Sequence, residues 1–240
     1  MESGIRETCT DGIHLSDVTV RYGHKTALNH VNLDLDLSGK VGKVIGVFGP
    51  NGAGKSTFMR LLCGFNSRFD GQISAPEPDM VSFMPDRPYF YDSLLIRDVI
   101  TAFSNRYSDF DPGKAHAMFR KLQLDESAPM SSLSKGMNEQ VHMIMTFSRH
   151  CPLYVLDEPL AAVDPYTRDE ILNTLVAETK RGATVMLSTH IIAEVERIFT
   201  HVIMINDGKV LANSDVTTFR NESGSLEQAF KDKMKEARHA

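Results

Sequence analysis

No stretch of this chain approaches the roughly 20 consecutive apolar residues needed to span a bilayer. Even Val44 to Phe48 and Tyr154 to Leu156 are only strand-sized. Any membrane role therefore has to come through a partner. The opening residues Met1-Glu2-Ser3-Gly4-Ile5-Arg6 have neither the basic start nor the apolar stretch of a secretion signal, so a cytoplasmic protein is expected. Cysteine is scarce: Cys9, Cys63 and Cys151 are odd in number, far apart and without zinc-like spacing, which argues against a disulfide framework or a zinc site. Long basic runs are missing too. With a net charge of −5 the chain lacks the electrostatics of non-specific nucleic-acid binding, and nucleic acid is not expected as a partner. Internal repeats and low-complexity linkers are also absent. What is present is 240 residues with 42% apolar content, enough for one large domain or a domain with a subdomain.

Ile13 to Tyr22 and Val31 to Leu37 alternate apolar with polar residues, the period-two pattern of half-buried strands. Lys43-Val44-Ile45-Gly46-Val47-Phe48 is instead almost continuously apolar, as in a strand buried on both faces of a parallel sheet. Phe58, Leu61 and Leu62 have helical spacing after it, and Gly64 is a helix stop. From about Asp92 to His150 the period is helical. Pro152 to Leu156 and Thr184 to Ser188 return to strand character around a helical Arg168 to Arg181. Val202 to Leu211 reads as a hairpin turning at Asp207-Gly208, and Ser225 to Ala240 as a charged amphipathic helix.

The residues between the first apolar strand and its helix are Gly49-Pro50-Asn51-Gly52-Ala53-Gly54-Lys55-Ser56-Thr57, which contain the pattern G-x-x-x-x-G-K-[ST] in the context that pattern requires. Glycines let the backbone curl until successive N–H groups point at a phosphate, and the helix N-terminus adds about half a positive charge. Lys55 is then expected to bridge β- and γ-phosphates, and the Ser56 hydroxyl to coordinate Mg²⁺. A second constellation, Leu153-Tyr154-Val155-Leu156-Asp157-Glu158, ends an apolar strand in paired carboxylates. Asp157 is suited to hold Mg²⁺ through its water shell, and Glu158 to accept a proton from an attacking water.

Leu133-Ser134-Lys135-Gly136-Met137, shortly before Asp157, resembles the Leu-Ser-Gly-Gly-Gln signature of the ATP-binding cassette (ABC) family, and the resemblance extends from about Ile13 to Phe230. It implies an α/β P-loop NTPase (RecA-like) fold, a mostly parallel core sheet with an antiparallel β-subdomain and a helical signature subdomain. The expected divisions of a single domain are 13–88 and 151–215 for the core with its β-subdomain, 89–150 for the helical subdomain and 216–240 for a C-terminal helix. It also implies ATP as substrate and a head-to-tail dimer with itself or a homologous subunit. Ser134 and the Gly136 N–H of one subunit would contact the γ-phosphate held by the other's Lys55; Ser134 can also cap the helix that follows it.

Residue by residue, the resemblance assigns Tyr22 to stacking on adenine, with a buried strand tyrosine as the alternative. Asp164 falls in the loop after the catalytic glutamate, where the family communicates across the dimer; capping the helix after Pro165 is its alternative. His190 in Ser188-Thr189-His190 matches the switch histidine that reaches the γ-phosphate. Three departures stand out. Asp86 replaces the usual metal-binding, partner-sensing glutamine, Lys135 and Met137 alter the signature, and Gln140 stands where arginine is common.

Arg87-Pro88-Tyr89-Phe90-Tyr91 is either a docking patch for a membrane partner or plain core. The expected function is the ATPase subunit of a small bacterial exporter of peptide, antibiotic or lipid, held at the inner face of the membrane by a separate permease. A soluble ABC ATPase in an assembly or regulatory role remains the alternative.

Overall fold

The computed structural model describes residues 4–87, 89–161 and 163–239. The wholly apolar β4 (Val44–Phe48) is buried along its length and lies at the centre of a six-stranded sheet. Its neighbours are β8 (Thr184–Ser188) on one side and β9 (His201–Asn206) on the other, both parallel to it. β7 (Leu153–Leu156) and β6 (Val81–Met84) extend the parallel array beyond β8. At the far edge β10 (Lys209–Asp215) is antiparallel to β9. Asp207 and Gly208 at that hairpin have φ of 46° and 73°, the left-handed pair a two-residue turn demands, which is why Asp-Gly serves there.

The parallel register decides where the chemistry goes. Met84 lies opposite Leu156, Leu156 opposite Leu187, and Val47 opposite Ser188. The residues that follow these strands therefore emerge side by side at one carboxyl edge, the usual ligand-binding edge of an open α/β sheet. Helix α1 (Lys55–Leu62) leaves β4 there, and α5 (Pro165–Lys180) connects β7 to β8. The expected contacts of α1 form: Phe58, Leu61 and Leu62 are fully buried.

A second, four-stranded sheet has the order β1-β5-β2-β3, built from β1 (Ile5–Thr8), β2 (Gly12–Tyr22), β3 (Lys25–Asp36) and β5 (Asp70–Ala75). It is antiparallel except for β1, which pairs with β5 in parallel. The subdomain thus begins ahead of Ile13. β1 is mostly exposed, so it carries no apolar alternation to read. β5 and β6 leave little trace in the sequence for a related reason: strands of six and four residues hold too few periods to stand out.

Helices α2 (Ile96–Arg106), α3 (Pro112–Lys121) and α4 (Lys135–Phe147) form the helical part between β6 and β7. Its apolar cluster is separate from the clusters on the two sides of the main sheet and includes Ile100, Phe119, Val141 and Ile144. A body with its own core can shift as a unit against the sheet. Beyond β8 come the short α6 (Ile192–Val195), then α7 (Val216–Ser223) and α8 (Leu226–His239). The expected single C-terminal helix over 216–240 is two helices, interrupted at Gly224 with φ 79°. Leu226 and Ala229 pack into the same cluster as Val216 and Phe219, and a straight helix would swing one pair into solvent. Cys9, Cys63 and Cys151 are free thiols.

Candidate active site

The loop from Gly49 to Gly54 needs its glycines for two distinct reasons. A Cβ on Gly49 would lie 2.2 Å from the Ile205 carbonyl oxygen, so only a bare backbone fits beside β9. Gly54 has φ 112°, and a Cβ there would stand 2.6 Å from the Ala27 oxygen. Gly54 also occupies the N-cap of α1 and provides no side chain to its first turn. The opening N–H groups of the helix, at Lys55, Ser56 and Thr57, are left to an anion. Lys55 is buried, and its Nζ donates to the carbonyls of Gly49 at 2.9 Å and Pro50 at 3.3 Å, so the ammonium is held over the loop. Asn51 and Gly52 form the exposed tip.

Asp157 is 1% exposed, and its Oδ1 accepts a hydrogen bond of 2.7 Å from the Ser188 hydroxyl. The same Ser188 Oγ accepts from the Glu158 N–H at 2.9 Å. One hydroxyl at the end of β8 thereby fixes both acids at the end of β7. Asp157 Oδ2 is buried without a hydrogen-bond partner. An unpaired buried acceptor costs about 1–3 kcal/mol, which marks this oxygen as one that a cation or its water shell would complete. Glu158 sits at φ 53°, a left-handed conformation rarely adopted by a side-chain-bearing residue. Its Oε2 lies 2.9 Å from His190 Nδ1. The structure therefore brings together Asp157, Glu158, Ser188 and His190. Sequence patterns give Ser188 no role; its signal is a hydroxyl that ends a buried strand directly behind the apolar run Val185-Met186-Leu187.

Ser134 caps α4, its Oγ accepting from the Met137 N–H at 3.2 Å, and Gly136 lies in the first turn behind it. No hydrogen bond joins either residue to the Lys55 loop among the described residues, and Ser134 is exposed on the helical part. Asp164 accepts from the Thr167 N–H at 3.1 Å and from its hydroxyl at 2.7 Å, so the capping interaction at α5 is made. Gln140 Nε2 donates to that same Thr167 hydroxyl at 3.1 Å, a link from α4 to the Asp164 turn.

Tyr22 is 49% exposed, which rules out the buried strand tyrosine, and its hydroxyl donates to Asn66 Oδ1 at 3.0 Å. Asn66 Nδ2 in turn donates to the Thr57 carbonyl at 3.2 Å, tying the aromatic ring to α1. Asp86 is paired with Arg60 of α1 at 3.2 Å. It also borders a small crevice with Glu139, His142 and Glu158. The aromatic run after it divides: Phe90 packs inward against Phe103, while Tyr89 and Tyr91 are exposed. Pro88 lies outside the described residues. Tyr89 also lines a cleft of about 830 Å³ between the sheet and the helical part, together with Arg60, Phe65, Phe83 and Phe103.

His142, buried within α4, receives the Tyr89 N–H on Nε2 at 3.1 Å, and its Nδ1 lies 2.8 Å from the Asn138 carbonyl oxygen. A carbonyl only accepts, so Nδ1 carries the proton and the ring is neutral. Burial lowers its pKa from the ordinary 6.5, against a smaller raising effect of the Asn138 bond. In the unfolded chain the ring takes a proton near 6.5 while the folded one resists. Its contribution is thus fully present above that pH and is lost as pH falls below it. Wild type is expected to lose up to about 1.4 kcal/mol per pH unit from this group in that window, and His142→Gln none of it. Urea unfolding of both proteins at neutral and mildly acidic pH measures the difference; equal pH slopes would refute it.

The ABC transporter family profile matches residues 29–161, more than half of the chain, and the chain belongs to that family. It is an ATP-binding subunit of the ABC type and an ATPase. The Lantibiotic transport ATP-binding protein SrtF of Streptococcus pyogenes is 27% identical over 235 residues, covering 92% of this chain and 97% of the relative. The Nod factor export ATP-binding protein I of Burkholderia orbicola is 30% identical over 216 residues, covering 83% and 69%. Among solved structures, an ATP-binding subunit of an ABC transporter superposes with a TM-score of 0.81 at 23% identity, over 93% of this chain and 99% of that one. An ATP-binding cassette solved as a dimer in a post-hydrolysis state with ADP and Pi gives 0.72 at 21% identity, over 85% and 98%. These likenesses to solved structures establish the fold.

Proposed function

We propose that this chain is the ATP-hydrolysing subunit of an exporter, that it pairs head to tail with itself or a homologous subunit, and that it drives a separate membrane-spanning partner. The observation that carries the reading is the carboxyl edge of the parallel sheet. There the Lys55 loop, the unpaired oxygen of Asp157 and the hydrogen-bonded pair Glu158 and His190 emerge from neighbouring strands. Relatives named for lantibiotic transport and Nod factor export support the exporter assignment. No helix among the described residues is long and apolar enough to cross a membrane, and the aromatic cleft beside Tyr89 suits a helix of a partner that does.

In this reading Lys55 and the open N–H groups of α1 bind the β- and γ-phosphates, and Tyr22 stacks on adenine. Asp157 and Ser56 would hold Mg²⁺, which supplies charge neutralisation of the phosphates when bound. Asp86 joins them as a carboxylate whose charge Arg60 already offsets. Glu158, fixed by Ser188 and His190, accepts the proton of the attacking water. Ser134, exposed on the helical part, and the Gly136 N–H in the turn behind it complete the site on the partner subunit. The γ-phosphate is then the contact that closes the dimer, and its departure releases it. Asp164 passes that change between the two sites in this reading, which the bonds from α4 through Gln140 and Thr167 support.

The test is affinity purification of the full chain from detergent-solubilised membranes of its own cells, with mass identification of what accompanies it. A multi-spanning membrane protein in stoichiometric amount is expected. Recovery of the chain without one, entirely in the soluble fraction yet active as an ATPase, would refute the transporter reading in favour of a soluble assembly or regulatory role.

A further inference from the structure

Asp86 and Tyr89 fasten the connection after β6 to two different bodies. Asp86 pairs with Arg60 on α1, which belongs to the sheet, and the two side chains are 34% and 41% exposed. Tyr89 and Phe90 are fastened to α4 instead. The Tyr89 N–H donates to His142 Nε2, Phe90 stacks on the imidazole at 4.2 Å and 25°, and the Tyr89 ring meets it edge-on at 4.8 Å. His142 itself is 2% exposed. An exposed ion pair is a weak and salt-screened tie. A buried imidazole with both nitrogens satisfied and an aromatic face covered is a firm one. If the helical part shifts against the sheet, the Arg60 end gives way first.

We propose that His142 is a positioning residue that makes Asp86, Tyr89 and Phe90 travel with α4. One turn along that helix, the Asn138 N–H is bonded to the Ser134 carbonyl. Asp86, three residues before Tyr89 in the chain, and the signature serine are then both linked to α4, the former through the His142 contacts of Tyr89 and Phe90. The inference rests on the proposed function only in treating Asp86 and Ser134 as active-site groups. No sequence pattern marks His142, because a lone histidine four residues after Asn138 gives no sign of what lies beside it in space.

Hydrogen exchange at the Tyr89 amide, read by NMR on the full chain without nucleotide, tests the anchor directly. His142→Phe keeps the ring and loses both hydrogen bonds, so exchange should quicken about 10-fold or more. His142→Gln restores an acceptor and should stay within about 3-fold of wild type, as should Arg60→Gln. In ATP hydrolysis, His142→Phe should lower kcat with KM for ATP within about 2-fold, and His142→Gln should recover most of the loss. The imidazole ¹⁵N shifts of the wild type, which need no variant to fold, must report the Nδ1–H tautomer. The inference is overturned by an Nε2–H tautomer, by undiminished Tyr89 protection in His142→Phe, by Arg60→Gln losing it equally, or by lost protection with unchanged kcat. Absence of ATP turnover in the wild type would instead refute the proposed function, and the exchange arm would still decide the anchor.

Discussion

Glu158→Gln is expected to bind ATP as the wild type does and to turn it over about 10²–10⁴ times more slowly, the range for loss of a positioned general base. The substitution is isosteric. An amide can still meet His190, whose Nδ1 lies 2.9 Å from Oε2, and the backbone bond to Ser188 at 2.9 Å does not involve the side chain. The left-handed backbone at φ 53° therefore survives, and what is lost is the capacity to take a proton. In the proposed function ATP affinity belongs to the Lys55 loop, which follows another strand, β4, and is left alone. Phosphate release and nucleotide binding measured side by side separate the two effects, and size-exclusion chromatography with ATP should show the variant held as a dimer. Turnover near the wild-type rate would remove Glu158 from the role of base.

Lys55→Ala should show the opposite pattern, with nucleotide affinity falling about 10- to 100-fold. That is the range expected for the loss of a hydrogen bond from a charged donor, about 1.5–3 kcal/mol. The ammonium lies over the loop through the Gly49 and Pro50 carbonyls, so it is already placed where a phosphate would meet it. The glycine geometry of the loop does not depend on the lysine, because the constraint at Gly49 comes from Ile205 and that at Gly54 from Ala27. A folded protein with a damaged binding site is therefore expected. Equilibrium binding of a fluorescent ATP analogue measures the loss, and unchanged affinity would count against the phosphate-loop role. Because Lys55 opens α1 behind β4 and Glu158 follows β7, one variant should fail at chemistry and the other at binding.

Much of this site is legible in the amino-acid sequence. The Gly49 to Thr57 pattern, the paired acids after Leu156 and the histidine after Thr189 each sit directly behind an apolar strand, and a strand of a parallel sheet delivers whatever follows it to the carboxyl edge. The cap by Ser134 is legible for the same local reason, since its partner is the amide three residues on. The C-terminal break is not, because Gly224 differs from any tolerated helical glycine only through the packing of Leu226 and Ala229 beyond the turn. The aromatic run after Asp86 is readable as apolar but not as divided, because the fate of Phe90 depends on Phe103 and His142, residues on other helices.

The sequence by itself determined the glycine-lysine loop and the pair of acids, each a pattern confined to about ten residues, and its resemblance to the ABC family implied the class of fold. Only the tertiary structure decided how those groups are held: Ser188 between Asp157 and Glu158, Arg60 against Asp86, Asn66 behind Tyr22 and His142 behind Tyr89. The partners in these pairs stand 31, 26, 44 and 53 residues apart. No local propensity couples residues so distant. Their meeting is set by strand order and by the docking of a separately cored helical part on the sheet, which is settled by packing.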